Sequence, residues 1–276
     1  MHPSQRALMG DTMRRALQRA LPGMEIEIRE ELRQLSVLTA LQEGQLDVAF
    51  AYADIAYMAY VGQLDRRLFD RLRGIATLNM SPVYILVRTD SAIHDLDDLQ
   101  GHRVNLGQPG TRTALTVQIV LEAFGSNVTT SYELFQDALA NLEDGTTDAV
   151  FAVGGYDPID RLQQSISSGR VRLLSLSRAT TSRLRREHPF VHPLMIPEGP
   201  YQTAPVLTIG IERLLLTRDD LDSSIVYEVT RAFFESLSEL SSSDQQLREM
   251  HVEDAPATAV PLHEGAARYY REQDQM

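Results

Sequence analysis

The stretch Val104-Asn-Leu-Gly-Gln-Pro-Gly-Thr-Arg-Thr-Ala114 constrains the fold of this chain most tightly. Val104 and Leu106 read as the end of a buried strand, and Gly107, Pro109 and Gly110 as a tight turn. Leu115, Val117, Val120, Leu121 and Phe124 then follow a helical period, with Gly125 as the stop. A strand-turn-helix leaves the first helical N–H groups without partners inside the helix. They point into the turn together with the positive end of the helix dipole. Gly110 lets a ligand approach the backbone, and Thr111 and Thr113 add hydroxyls. Arg112 adds a cation whose two-pronged donor geometry suits a carboxylate. The stretch suits a seat for a small anion, and it equally suits an ordinary capped helix start.

Around it the pattern is that of an α/β protein. Residues 5–21 read as a helix that Pro22-Gly23 ends. Met24, Ile26 and Ile28 alternate with acids and predict a strand. Residues 35–41 read as a short helix, 48–52 as a buried strand, and 53–57 as the start of the next helix. Two apolar runs, 75–78 and 83–87, are interrupted by Ser81-Pro82 and predict two strands. Residues 95–101 read as a short helix, 132–135 as a strand, 136–143 as a helix, and 148–153 as a strand that ends at Gly154-Gly155-Tyr156. A helix over 159–166 and a strand over 171–176 follow. The Arg-rich stretch 178–186 reads as a solvated helix. Residues 189–205 hold five of the twelve prolines and predict an ordered loop. Residues 206–211 predict a strand, 222–240 the longest helix, and 265–271 a last short one.

One internal echo bears on domain organisation. Leu41-Gln-Glu-Gly-Gln-Leu-Asp-Val-Ala-Phe-Ala51 matches Leu142-Glu-Asp-Gly-Thr-Thr-Asp-Ala-Val-Phe-Ala152. In both, a helix ends at Gly, an Asp opens a strand, and a polar loop follows. The spacing is too long for a solenoid repeat and fits two similar α/β lobes. Parallel-sheet folds bind ligands at the carboxyl ends of strands, so four loops are expected to converge on a shared cleft: 52–57, 81–84, 107–113 and 154–158.

Composition narrows the function. The chain has 276 residues, a net charge of -12, and neither lysine nor cysteine. An acidic chain lacks the basic face that nucleic acid requires. Without cysteine there are no disulfides, no thiolate catalysis and no cysteine metal sites. The histidines form no H-E-x-x-H or His-x-His pattern, and Pro189 and Pro193 spoil His188 and His192 as a helical ligand pair. Neither Gly-x-Ser-x-Gly nor a P-loop is present. No catalytic, metal or cofactor role is therefore expected. No apolar run reaches the ~18 residues of a membrane span, and no secretory signal is visible. A helix before the first strand is unusual for an α/β chain, so a strand, and with it a signal or anchor, is expected upstream of Met1.

The ordered motifs resemble those of TAXI-type solute-binding proteins of the TRAP transporter family. They are Gly44-Gln-Leu-Asp47 with Tyr52-Ala-Asp54-Ile-Ala-Tyr57, then Leu99-Gln-Gly101-His-Arg-Val104 with Gly107-Gln-Pro-Gly-Thr-Arg-Thr113. They continue as Ile196-Pro-Glu-Gly-Pro-Tyr201, Val226-Tyr227 and His263-Glu-Gly-Ala-Ala-Arg-Tyr-Tyr270. The resemblance implies a two-lobed, type II periplasmic-binding-protein fold. Each lobe would be a mixed sheet flanked by helices, with the ligand cleft between lobes and the first strand missing here. It puts lobe 1 at 1–88 plus 206–276 and lobe 2 at 89–205, with two crossing segments as hinge. It implies a small organic anion as ligand, a dicarboxylate or an amino acid such as glutamate, delivered to TRAP membrane subunits by an extracytoplasmic monomer.

The departures shape the expected site. Gln34 and Val37 stand where the family has Ser and Asn, Tyr52 where Gln is common, and Arg112 in place of a Gly. The anion seat gains a charge while the far end of the pocket loses polarity. The candidate ligand-binding residues are Tyr52, Asp54, Gly110, Thr111, Arg112, Thr113, Gly155, Tyr156 and Tyr201. For Thr111 and Thr113 the alternative is capping alone, for Arg112 a solvent-facing side chain, for Asp54 a helix cap, and for the tyrosines packing. Asp47 and Asp148 read as structural, at strand entrances. Two other functions suit the same fold: an effector-sensing domain of a regulator or receptor, and a ligand-free paralogue with a structural role.

Overall fold

The computed structural model describes residues 5–274 except 30–32, 65–66, 126, 155–159, 200, 202–203, 244–246 and 249. In chain order the elements are α1 (Gln5–Ala20), α2 (Gln34–Gln42), β1 (Val48–Tyr52), α3 (Ala53–Tyr60), β2 (Leu72–Arg88), β3 (Arg103–Asn105), α4 (Arg112–Ala123), β4 (Thr129–Ser131), α5 (Phe135–Asp144) and β5 (Ala149–Val153). They continue as α6 (Asp160–Ser167), β6 (Val171–Leu173), α7 (Arg178–Glu187), β7 (Val191–Ile196), β8 (Val206–Arg218), α8 (Ser223–Glu235), α9 (Leu237–Ser243) and α10 (Glu264–Glu272). The chain forms two compact units, Met1–Asn79 with Glu212–Met276, and Met80–Ile211.

In the first unit β1 lies antiparallel to β8, with Ala51 opposite Leu214. The core gathers Ile75 and Leu78 of β2, Leu215 of β8, Val226, Val229 and Phe233 of α8, and Tyr269 and Tyr270 of α10. Tyr270 is fully enclosed, and its hydroxyl donates to the Ile75 carbonyl at 2.8 Å. Burying an aromatic ring while its hydroxyl finds a backbone acceptor avoids the cost of a lost hydrogen bond. The α8 helix starts where Asp222 accepts the Ser224 N–H at 2.8 Å.

The second unit is built on a sheet in the order β2-β5-β3-β4, with β6 also on β2. The strands β3, β4 and β5 are parallel, and β5 is antiparallel to β2 with Val83 opposite Val153. Tyr84 and Leu86 of β2 pack with Val150 of β5, Leu139 and Leu142 of α5, and Leu162 of α6. Connections between parallel strands are right-handed. The β3-α4-β4 crossover runs outward and the β4-α5-β5 crossover runs back, so α4 and α5 cover opposite faces.

The sequence echo corresponds to one local structure that occurs once in each unit. Gly44 and Gly145 end α2 and α5 in the left-handed region, at φ 73° and 83°. Their N–H groups donate to Leu41 and Leu142, and Leu46 and Thr147 donate to Ala40 and Asn141. Asp47 then takes Arg218 at 2.7 Å, and Asp148 takes Arg103 through Nη2 at 2.7 Å and Nε at 3.0 Å.

Several sequence expectations are corrected. Residues 24–28 form no strand. Met24 and Ile28 stay exposed, and the segment has no ladder partner among the described residues. Alternation marks a surface that could pair, but pairing needs a neighbour. The two runs around Ser81-Pro82 are one 17-residue strand. Pro82 lacks an N–H, yet its carbonyl still accepts the Gly154 N–H at 3.3 Å, so the ladder continues. The proline-rich segment contains β7, paired antiparallel to β8 with Pro193 opposite Ile209. The strand expected at 132–135 lies at Thr129–Ser131. The long helix 222–240 divides at Ser236, whose φ and ψ of -99° and 4° close α8.

Candidate functional site

The turn between β3 and α4 is held from beneath by Asn105, which is 1% exposed. Asn105 Oδ1 accepts the Gly107 N–H at 2.9 Å, and Nδ2 donates to Ser131 Oγ at 3.1 Å and Glu133 Oε2 at 3.4 Å. The other Glu133 oxygen accepts Asn141 Nδ2 at 3.0 Å. An Asn bonded to the backbone two residues on is a turn-forming device. Gly107 sits at φ 77°, where an added Cβ would press Thr113 at 3.3 Å. Gly110 sits at φ 74° with open space where a side chain would start. Glycine at these two positions gives the turn its shape and leaves its rim clear.

Thr111 caps α4. Its Oγ1 accepts the Ala114 N–H at 3.4 Å and donates to the Gln108 carbonyl at 2.6 Å. The Thr111 hydroxyl is therefore engaged within the turn. Arg112 and Thr113 are the first two helical residues, both half-buried, and their N–H groups point out of the helix start. The twelve-residue α4 focuses its positive end here. The guanidinium atoms Nε and Nη2 of Arg112 are buried, so its charge is not simply solvated.

The structure brings Gly110, Thr111, Arg112 and Thr113 into this one turn of the second unit. It keeps Tyr52 and Asp54 together in the first unit, at the end of β1 and the start of α3. Asp54 is wholly buried, and its Oδ1 accepts the Ile55 N–H at 2.8 Å. This places a carboxylate at a helix N-terminus, where it is stabilised. Tyr201 is 2% exposed and lies edge-on to Tyr84 with ring centroids 5.6 Å apart, inside the second unit's core. Gly155 and Tyr156 lie outside the described residues.

Sequence reasoning did not single out Asn105, Glu133, Tyr132 or Leu134. The Asn105–Ser131 register carries the chain after β4 past the turn, and Tyr132 and Leu134 are exposed there. An Asn two residues before a turn glycine was the available signal for Asn105. The others depend on strand pairing.

A tightly paired carboxylate lies elsewhere. Asp148 is pushed down to about 2 by the Arg103 side chain at the entrance of β3. A depression of about 540 Å³ in the first unit is lined by Arg73, Asp219, His263 and Glu264 among others. Its cation is engaged, since Arg73 donates to the Asp70 and Leu72 carbonyls at 2.8 Å. Among the described residues no group of three or more His, Asp or Glu side chains could hold a metal ion. No helix among them is long and apolar enough to cross a membrane.

The sequence model of the NMT1-like family matches residues 21–273. A TctC solute-binding protein from Polaromonas superimposes with a TM-score of 0.59 at 16% identity, over 100% of this chain and 96% of that one. XAC2383 from Xanthomonas citri bound to ATP gives 0.59 at 14% identity, over 98% and 90%. A periplasmic sulfonate-binding protein SsuA from Methylobacillus flagellatus KT gives 0.51 at 16% identity, over 96% and 72%. The fold is that of the two-lobed periplasmic binding proteins.

Proposed function

The chain belongs to the NMT1-like family, and from that premise we propose that it is a solute-binding protein. In this reading it captures a small organic anion at the start of α4 and hands it to the membrane subunits of a transporter. The observation that carries the reading is the β3–α4 turn. Two left-handed glycines clear the rim, Asn105 fixes the loop, and Arg112 and Thr113 open a helix whose N–H groups face outward. The ordered motifs shared with TAXI-type proteins support a TRAP transporter, an extracytoplasmic location, and a dicarboxylate or an amino acid such as glutamate as ligand. Binding without catalysis accounts for the chemistry present: a cation, amides and hydroxyls around a turn, with no assigned nucleophile or metal role.

A thermal-shift screen of small carboxylates, amino acids and neutral metabolites tests this reading. A ligand that binds only the folded state raises the unfolding midpoint by mass action. One class of organic anion is expected to raise it, and Arg112→Ala is expected to weaken that anion much more than its neutral amide. A charge-assisted hydrogen bond contributes about 1.5–3 kcal/mol. No shift with any anion, on a protein that unfolds cooperatively, contradicts the reading.

A further inference from the structure

Glu133 is half-buried, and side-chain amides take both of its carboxylate oxygens. Oε2 accepts Asn105 Nδ2 at 3.4 Å, and Oε1 accepts Asn141 Nδ2 at 3.0 Å. No cation is paired with it among the described residues. Asn105 stands opposite Ser131 in the β3–β4 ladder, and two residues on from these partners lie Gly107 and Glu133. A negative charge beside the turn that opens α4 opposes an anion seated there. Its presence calls for a task that outweighs that cost.

The amide of Asn105 supplies the task. A half-turn about its last bond exchanges Oδ1 and Nδ2 within the same space. In the structure Oδ1 accepts the Gly107 N–H at 2.9 Å, while Nδ2 faces Ser131 Oγ at 3.1 Å and the Glu133 carboxylate. The Ser131 hydroxyl both donates and accepts, so it suits either arrangement. A carboxylate only accepts, so Glu133 suits one. With the amide turned over, Nδ2 would meet the Gly107 N–H, donor against donor, at a side chain that is 1% exposed. Asn141 steadies the carboxylate from α5, and its own backbone carbonyl takes the Thr147 N–H at 3.0 Å.

We propose that Glu133 is a positioning residue for the anion seat, an inference that rests on the anion-seat reading. It fixes which way the Asn105 amide faces and so keeps the 106–111 turn in the shape that presents the first N–H groups of α4. The bonds run from Asn141 to Glu133 to Asn105 to Gly107, so Glu133 acts through Asn105 and not on the ligand.

Amide hydrogen exchange read by NMR, with calorimetric titration of succinate, tests the proposal on Glu133→Gln and Glu133→Leu. The Gln side chain keeps an acceptor for Asn105, and Asn141 can turn its amide oxygen toward the new amide nitrogen. The Leu side chain removes both acceptors. In Glu133→Leu the Gly107 amide is expected to exchange about ten-fold faster or more. The Leu106 amide, which donates to the Ser131 carbonyl at 3.0 Å, is expected to keep its rate. Succinate is expected to bind about five-fold more weakly, the loss of one net hydrogen bond's support. Glu133→Gln is expected to stay close to the wild type in both readouts. Faster exchange at Gly107 and Leu106 together would make Glu133 a general support of the β3–β4 ladder, and an unchanged Gly107 rate would release the turn from it. Either result overturns the proposal. Tighter succinate binding by both variants would show that the carboxylate acts by its charge, which also overturns it. A wild type that does not bind succinate counts against the anion seat, while the Gly107 rate still decides whether Glu133 holds the turn.

Discussion

Asn105 and Gly107 are joined by a single hydrogen bond, Gly107 N–H to Asn105 Oδ1 at 2.9 Å, which ties the end of β3 to the turn that opens α4. The Asn105 amide nitrogen meanwhile reaches Ser131 and Glu133. Asn105→Ala leaves these groups without their partner in a closed setting, at a cost of about 1–3 kcal/mol. Chemical unfolding is expected to show that loss, and anion affinity is expected to fall with it. Stability lost with affinity intact would separate Asn105 from the seat.

Asp148 governs part of the acid stability. The Arg103 side chain holds its pKa down at about 2, against an ordinary value near 3.9. A carboxyl depressed by folding contributes stability that is complete above the unfolded value and is lost as pH falls through the folded one. Wild-type stability is thus expected to decline between about pH 4 and pH 2 through this group. Asp148→Asn is expected to be less stable at pH 7 and to lose less over that interval. Parallel pH profiles for the two proteins would contradict the assignment.

His263 caps α10 in the neutral form, because its Nδ1 accepts the Gly265 N–H at 3.1 Å. Burial pushes its pKa below the ordinary value; contacts with the Leu221 and Asp219 backbone, Arg73 and Glu264 act less strongly. A depressed histidine contributes stability that is present above about pH 6.5 and is lost as pH falls through its folded value. His263→Asn retains an acceptor at the cap, so the expected result is a smaller fall in melting temperature from pH 7 to pH 5 than in the wild type. An equal fall would place the pH response elsewhere.

Gly265 marks the close approach of α10 to α8. A Cβ there would overlap the Ser223 carbonyl oxygen and crowd the Tyr227 N–H. Backbone cannot step aside as a side-chain tip can, so Gly265→Ala is expected to destabilise by about 1–3 kcal/mol despite the better helix propensity of alanine. Equilibrium unfolding in urea measures it, and a neutral result would mean that the two helices can separate at little cost.

The β3–α4 turn was legible in the sequence because glycine at positive φ, threonine at a cap and proline in a turn each have one strong local cause. The Gly–Asp echo was legible for the same reason. Pairing was not. Residues 24–28 carry a strand pattern but form no strand, and 191–196 carry a proline yet form one, because a ladder depends on a partner far along the chain. The site shows the same division. The loop residues from Gly110 to Thr113 could be read locally. Asn105 reaches Ser131 across 26 residues, a pairing that no local pattern announces. An aromatic residue in a proline-rich loop reads alike as cleft wall or core. Tyr201, set edge-on against Tyr84, lies in the core.

The central claim is that an organic anion sits at the first turn of α4. Amide chemical-shift mapping by NMR tests it most directly, by titrating the carboxylate that raises the melting midpoint furthest and, in parallel, its neutral amide. The account predicts saturable shifts centred on the Gly110, Arg112, Thr113 and Ala114 amides with the carboxylate, and much weaker ones with the amide. Saturable shifts centred elsewhere in the chain, or equal responses to both compounds, would contradict it.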